Sequence, residues 1–181
     1  MALMLPRTIR LDPSDTFVYR NPAEPGEWAV TGTFLFAGVD TESLSGKALQ
    51  AFRAGFLGIE SFGWSTLAVV TIATEAERAA IIDRLAAQLV SRCGAPDLGR
   101  ARPAAEEEVA FAQSLCEHEA GTLIGLHRRS DGDTIRESFR TLHRTANPLQ
   151  PTHAFRFVEA DPDEEQPEDG VDLATLARSR T

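Results

Sequence analysis

The residues best suited to chemistry are cationic and lie close together in the last third of the chain. The segment from His127 to Phe157 holds six arginines against three acids, in a chain whose formal net charge is −9. Its candidate site residues are His127, Arg128, Arg129, Arg136, Arg140, His143 and Arg144. A guanidinium group offers a planar fork of donors that suits carboxylates and phosphates. The segment therefore predicts a surface that binds an anion or an acidic partner.

Three of these arginines recur every fourth residue. Arg136, Arg140 and Arg144 would form a row on one side of a helix, and they would also share one face of a strand. The row is therefore expected for either secondary structure, which matters because residues 134–144 have two interpretations.

In the first interpretation this segment is one arm of a β-hairpin. Asp131 and Gly132 supply the turn, and the chain returns from Thr134 to His143. In the second it is a helix, in which Thr134 and Glu137 form a capping box before an apolar stripe. The sequence leaves both open.

Other catalytic or metal-binding patterns are missing from the sequence. It has no GxxxxGK[ST] loop, no GxGxxG turn and no GxSxG elbow. Cys116 and His118 are two residues apart on an expected helix, so they point about 200° apart and do not suit one metal ion. Cys93 and Cys116 are expected to be reduced thiols. We predict no catalytic residue, no metal and no cofactor.

The C-terminal end is strongly acidic. From Glu159 onward there are eight acids and two arginines, and no large apolar side chain lies between 161 and 170. We expect one domain over residues 1–160 and a flexible acidic tail over 161–181. The arginines then either pair with acids of the chain itself, this tail included, or bind an external anion for which the tail competes.

The elements that must position these side chains are strands and helices in mixed order. The pattern predicts strands over 5–11, 16–19, 28–37, 64–73, 122–128 and 154–159. It predicts helices over 43–59, from Thr74 to about Gly94, and from about Pro103 to Gly121. This order indicates a single α+β domain, with a mainly antiparallel sheet covered by two or three helices.

Composition excludes several classes of protein. A sequence pI near 4.9 opposes binding of nucleic acid or of anionic membranes as the main activity. The longest apolar stretch, 66–73, is much shorter than the roughly 20 residues that a membrane-spanning helix needs. We expect a cytoplasmic protein.

Three strings of residues carry a resemblance over most of 5–160. They are GTFLFAG at 32–38, GWSTLA at 63–68 and ESFRTLHR at 137–144. With them the chain resembles an uncharacterised family of small bacterial proteins. The resemblance assigns no site residue. Proteins of this kind are encoded near maturation genes for molybdenum formate dehydrogenases, so the resemblance implies an accessory role.

We therefore expect a non-catalytic binding or accessory protein. Its partner would be a protein or a small anionic ligand, and a homodimer of the chain is plausible. The alternative is a small enzyme for an anionic metabolite, in which Arg128, Arg136 or Arg140 clamps the substrate and His127 or His143 acts as acid or base. That alternative requires these side chains to converge on one concave site.

Overall fold

Two antiparallel sheets organise the residues that the computed structural model describes, 2–144 and 155–159. The larger sheet has the order β1-β5-β6-β7-β8, and the smaller has the order β2-β3-β4. The strands of the larger sheet are β1 Leu3–Ile9, β5 Leu67–Ala73, β6 Leu123–Asp131, β7 Thr134–Arg144 and β8 Phe155–Glu159. Those of the smaller sheet are β2 Ala29–Val30, β3 Phe56–Gly58 and β4 Trp64–Ser65.

The helices pack against these sheets and against one another. They are α1 Ser14–Val18, α2 Gly46–Ala54, α3 Glu75–Cys93 and α4 Leu98–Ser114, with 3-10 turns at Thr33–Phe36 and Thr41–Ser43. α3 lies along α4, α4 contacts β1, and α2 contacts β6. The expected α+β fold with a mainly antiparallel sheet is confirmed. No helix among the described residues is long and apolar enough to cross a membrane.

Helix α3 begins and ends where its local signals predict. The Thr74 side chain accepts a hydrogen bond from the backbone N–H of Glu77, and the Glu77 carboxylate accepts one from Thr74 in return. Gly94 ends the helix with φ of 75°, a conformation that favours glycine. The apolar face of this helix is buried and includes Ile81, Ile82, Leu85 and Leu89.

Helix α4 begins earlier and ends earlier than expected. Asp97 is the N-cap, because its side chain accepts a hydrogen bond from the N–H of Arg100. Pro103 therefore lies inside the helix instead of at its start. Glu106 to Glu108 therefore lie in the middle of α4 and not in its first turns.

The strand expected over 28–37 was also wrong. Only Ala29 and Val30 are in β2, and Gly32 has φ of 76°, which turns the chain into a 3-10 turn. A Cβ atom at Gly32 would lie 2.7 Å from the Leu57 side chain and 3.0 Å from the Trp64 ring. The Trp64 ring therefore packs over this glycine at a reversal of the chain and not within a continuous strand.

Two more elements in the first third of the chain differ from expectation. Residues 14–18 are helical where a strand was expected over 16–19, and Asp15 is buried by the fold, where it accepts hydrogen bonds from the N–H and hydroxyl of Thr66. The helix expected over 43–59 ends at Ala54. Beyond it, a Cβ at Gly55 would lie 2.6 Å from the Trp64 ring, and the chain continues as β3.

Strands β6 and β7 form a hairpin, so the helical interpretation of 134–144 was wrong. Their register runs from Leu123 opposite Leu142 to Asp131 opposite Thr134. Gly132 in the turn has φ of 61°. β8 pairs with β7, with Glu159 opposite Arg140, which confirms the last expected strand. The expected tail over 161–181 lies outside the described residues.

Candidate functional site

The hairpin divides the cationic segment between two faces of the sheet. Successive side chains of a strand point to opposite faces, and directly opposed residues share a face. Arg128 of β6 is opposite Glu137 of β7, on the face that meets α2 and α4. Arg129 is opposite Arg136, on the other face. We call these the inner face and the outer face of the hairpin.

On the inner face, Arg128 is completely buried and holds the end of α2. Its Nη1 donates to the carbonyl oxygens of Ala51, Phe52 and Gly55 at 3.3, 3.0 and 2.9 Å. The Ala51 oxygen also accepts from the backbone N–H of Gly55, but the other carbonyls in the last turn of a helix lack partners within it. A cation there also meets the negative end of the helix dipole. The guanidinium thus takes the place of a C-terminal cap.

The other nitrogens of Arg128 are occupied as well. Nε donates to the hydroxyl of Thr33 at 2.7 Å and to the carboxylate of Glu137 at 3.1 Å, and Nη2 donates to the carbonyl of Thr31. The Thr33 hydroxyl in turn donates to Glu137. Burial lowers the pKa of Arg128, and the nearby charge of Glu137 opposes that change. The result is a buried ion pair whose polar groups are hydrogen-bonded.

This geometry corrects the place of Arg128 in the candidate site. Its side chain is 0% exposed, and its guanidinium makes six hydrogen bonds to the protein itself. The ring centres of Phe36 and Trp64 lie 5.5 and 5.9 Å from it. An incoming anion has no access to these donors, so Arg128 stabilises the fold and is not part of a binding face.

The outer face keeps four of the predicted residues together. His127 and Arg129 of β6 are exposed, as are Arg136 and Arg140 of β7. Arg129 and Arg136 are directly opposed across the strands, and Arg136 also forms an ion pair with Asp131. His127 and Arg140 face the small residues Ser138 and Gly125, respectively. Arg144 ends β7 opposite Phe155 in the register.

His143 lies in a different environment. Its Nδ1 is 3.5 Å from the hydroxyl of Thr122, and its ring centre is 6.0 Å from that of His118. Both imidazoles line a groove of about 1210 Å³ together with Cys116 and other residues. Burial raises the pKa of the Cys116 thiol to about 12, which keeps it protonated and unreactive. Within residues 2–144 and 155–159, no group of three His, Cys, Asp or Glu side chains could hold a metal ion.

A cleft that the sequence did not indicate lies beside the inner face. It has a volume of about 1000 Å³ between the two 3-10 turns, α4 and the β6–β7 turn. Glu108 of α4 lines it, and its pKa is raised to about 7, first by burial and second by the charge of Glu137. The signal that could have located it is Asp97, a typical N-cap residue, because a helix that begins there has Glu108 in its middle.

Together, the fold and these sites define an α+β protein with a cationic outer face on one hairpin and an acidic cleft beside it. The chain belongs to the Family of unknown function (DUF6505), whose model matches residues 2–159. The resemblance to an uncharacterised family is thereby confirmed. The chain has no match among the curated proteins and none among the solved structures.

Proposed function

We propose that this chain is a non-catalytic binding or accessory protein, whose outer hairpin face binds an acidic surface of a protein partner. The observation that carries the proposal is the direct opposition of Arg129 and Arg136 across two paired strands. Like charges in such positions destabilise a sheet. A partner that supplies carboxylates between the two guanidinium groups would turn this repulsion into attraction.

The inner face supports this division of roles. Arg128 and Glu137 already join the hairpin to α2 and to the Thr31–Thr33 segment. The outer arginines are therefore not required for that connection. Arg136 has an acidic contact with Asp131, and Arg140 lies opposite Glu159 in the strand register. Arg129 forms no ion pair within residues 2–144 and 155–159.

The strands also give the outer face a fixed spacing. β6 and β7 are paired from Leu123 to Asp131, so the exposed side chains stand on a hydrogen-bonded ladder. A preorganised surface loses less conformational entropy on binding than a flexible loop does. Complementary charge across such an interface raises the association rate and selects the partner.

The cellular context of the proposal comes from the resemblance and from cysteine usage. We place the protein in the bacterial cytoplasm, as an accessory factor for metalloenzyme maturation that acts as a homodimer or with its partner. Two free thiols, the exposed Cys93 and the buried Cys116, fit a reducing compartment. The alternative of an Arg- and His-based enzyme has less support, because Arg128 is buried, and His143 lies in the groove with His118.

The experiment measures binding of a fluorescein-labelled decaglutamate peptide by anisotropy, over a series of salt concentrations. The double variant Arg129→Gln, Arg136→Gln should bind about tenfold more weakly or worse, with a smaller salt dependence. The matched control is Arg53→Gln, Arg100→Gln, which removes the same charge from exposed positions elsewhere. Equal weakening in both double variants would show that net charge alone is responsible and would overturn the proposal.

The acidic C-terminal end provides a second test of the same face. Deleting residues 160–181 removes seven acids and two arginines. If this segment competes for the outer face, the shortened chain should bind the peptide more tightly, and the gain should disappear in the Arg129→Gln, Arg136→Gln background. A gain that persists in that background would place the competition elsewhere.

A further inference from the structure

We propose that the cleft lined by Glu108 is a binding site for a small organic amine with an apolar body. The site lies beside the inner face of the hairpin and is independent of the proposed partner-binding face. Nothing in the family assignment supplies this ligand; three properties of the cleft do.

The first property is its shape. The walls come from three separate parts of the chain: the two 3-10 turns, the middle of α4 and the β6–β7 turn. The volume of about 1000 Å³ is at the upper end of the range for small-molecule sites, about 300–1,000 Å³. A small molecule can therefore contact several elements at once.

The second property is the chemistry of the walls. Among the described residues that line the cleft there is no lysine, arginine or histidine, and the charged groups are all carboxylates: Asp40, Glu42, Glu108 and Asp133. Phe34, Phe36 and Ile135 add apolar surface. A concave site with one sign of charge concentrates ligands of the opposite sign, and the apolar side chains can cover a hydrocarbon body.

The third property is the state of the Glu108 carboxyl group. It is half-buried, and it makes no hydrogen bond or ion pair with any residue in the described part of the chain. Arg128, the cation that lowers its pKa, is already paired with Glu137. Burial, Glu137 and Glu107 raise the pKa of Glu108, while Arg128 lowers it. A ligand ammonium group would supply the missing donor and the missing positive charge.

This arrangement couples ligand binding to a proton. With a pKa of about 7 in the unliganded protein, Glu108 must lose its proton before it can pair with an ammonium ion. Asp40, Glu42 and Asp133 also face the cleft, and all three are exposed, whereas Glu108 is half-buried. Affinity for an amine should therefore increase about tenfold between pH 6 and pH 8.

The test is calorimetric titration of the full chain with phenethylamine at several pH values. The unaltered protein should show this increase in affinity with pH and should release a proton on binding. Glu108→Gln should bind at least about tenfold more weakly, with no pH dependence, because the amide cannot ionise. Glu106→Gln is the matched control: Glu106 is exposed on α4 and is not among the groups that shift the pKa of Glu108, so this variant should retain both properties.

A second variant tests the cleft without changing Glu108. Val39 lines the cleft and is 42% exposed, so Val39→Arg can place a cation at the rim without disturbing the core. It should abolish amine binding while thermal unfolding stays as in the parent chain. Arg129→Gln, Arg136→Gln should bind phenethylamine normally, which separates this site from the partner-binding face. Absence of amine binding by the unaltered chain, or equal binding by Glu108→Gln, would overturn the proposal.

Discussion

The inner and outer faces of the β6–β7 hairpin carry adjacent arginines with opposite roles. Arg128 is buried and makes six hydrogen bonds that cap α2 and pair with Glu137. Arg129, the next residue, is exposed and opposes Arg136. Both are arginines in the same cationic segment, so the face of the strand decides whether the guanidinium group is buried against α2 or exposed to solvent.

The largest expected effect is on the inner face. Arg128→Met should lower the free energy of unfolding by about 3–5 kcal/mol, because it removes the counter-charge of the Glu137 carboxylate and the guanidinium donors from the carbonyls at the end of α2. Arg129→Met should change it by no more than about 0.5 kcal/mol, since the side chain is exposed. Urea unfolding of both variants measures the difference. Similar losses in the two would contradict the contrast between the faces.

The partner of Arg128 should show a smaller effect. Glu137→Gln keeps an oxygen that can accept from Nε but leaves the buried guanidinium without its counter-charge. We expect a loss of about 1–3 kcal/mol. The double variant Arg128→Met, Glu137→Gln should be less destabilised than the sum of the single variants, because the two groups interact directly. Additive losses in this double-mutant cycle would show that they act separately.

The pH dependence of stability distinguishes Glu108 from the exposed acids of α4. Its pKa is raised from 4.5 to about 7 in the fold, so the native state holds this proton more tightly than the unfolded chain. The contribution is greatest below pH 4.5 and is lost as the pH rises towards 7, with no further change above that range. Unfolding measured over this range should lose this component in Glu108→Gln and keep it in Glu106→Gln, because the exposed Glu106 is not among the groups that shift the pKa of Glu108.

The smallest expected effect is on the outer face. Arg129→Gln removes one of two opposed positive charges, so it should raise stability by about 0.2–1 kcal/mol at low salt. The gain should decrease as salt increases, because exposed charges are screened. Arg53→Gln, an exposed arginine on α2, controls for the change in net charge. A loss of stability in Arg129→Gln would mean that this arginine stabilises the fold.

The elements that could be predicted from the sequence are those fixed by residues close together in the chain. α3 could be located because Thr74, Glu77 and Gly94 are all within or beside the helix that they delimit. The strand predicted over 28–37 was wrong because alternating apolar residues form a strand only where a neighbouring strand pairs with them. Trp64 lies against Gly32 from a distant part of the chain, and its ring occupies the space beside the turn. No local pattern reports that contact.

The candidate site shows the same limit. The charge inversion over 127–157 and the shared face of Arg136 and Arg140 could be predicted, since strand alternation follows from the backbone alone. The removal of Arg128 from the site could not, because its partners on α2 and at Thr31 are more than 70 residues away. Glu108 was missed for a related reason: its pKa depends on what buries it.

By itself, the sequence determined the α+β class, the limits of α3, the cationic segment in an acidic chain and the family to which the chain belongs. Only the tertiary structure decided which interpretation of 134–144 holds, which arginine is buried and where a carboxyl group titrates near neutral pH. Capping and alternation are local properties of the backbone. Burial and charge pairing depend on groups that only the folded chain brings together.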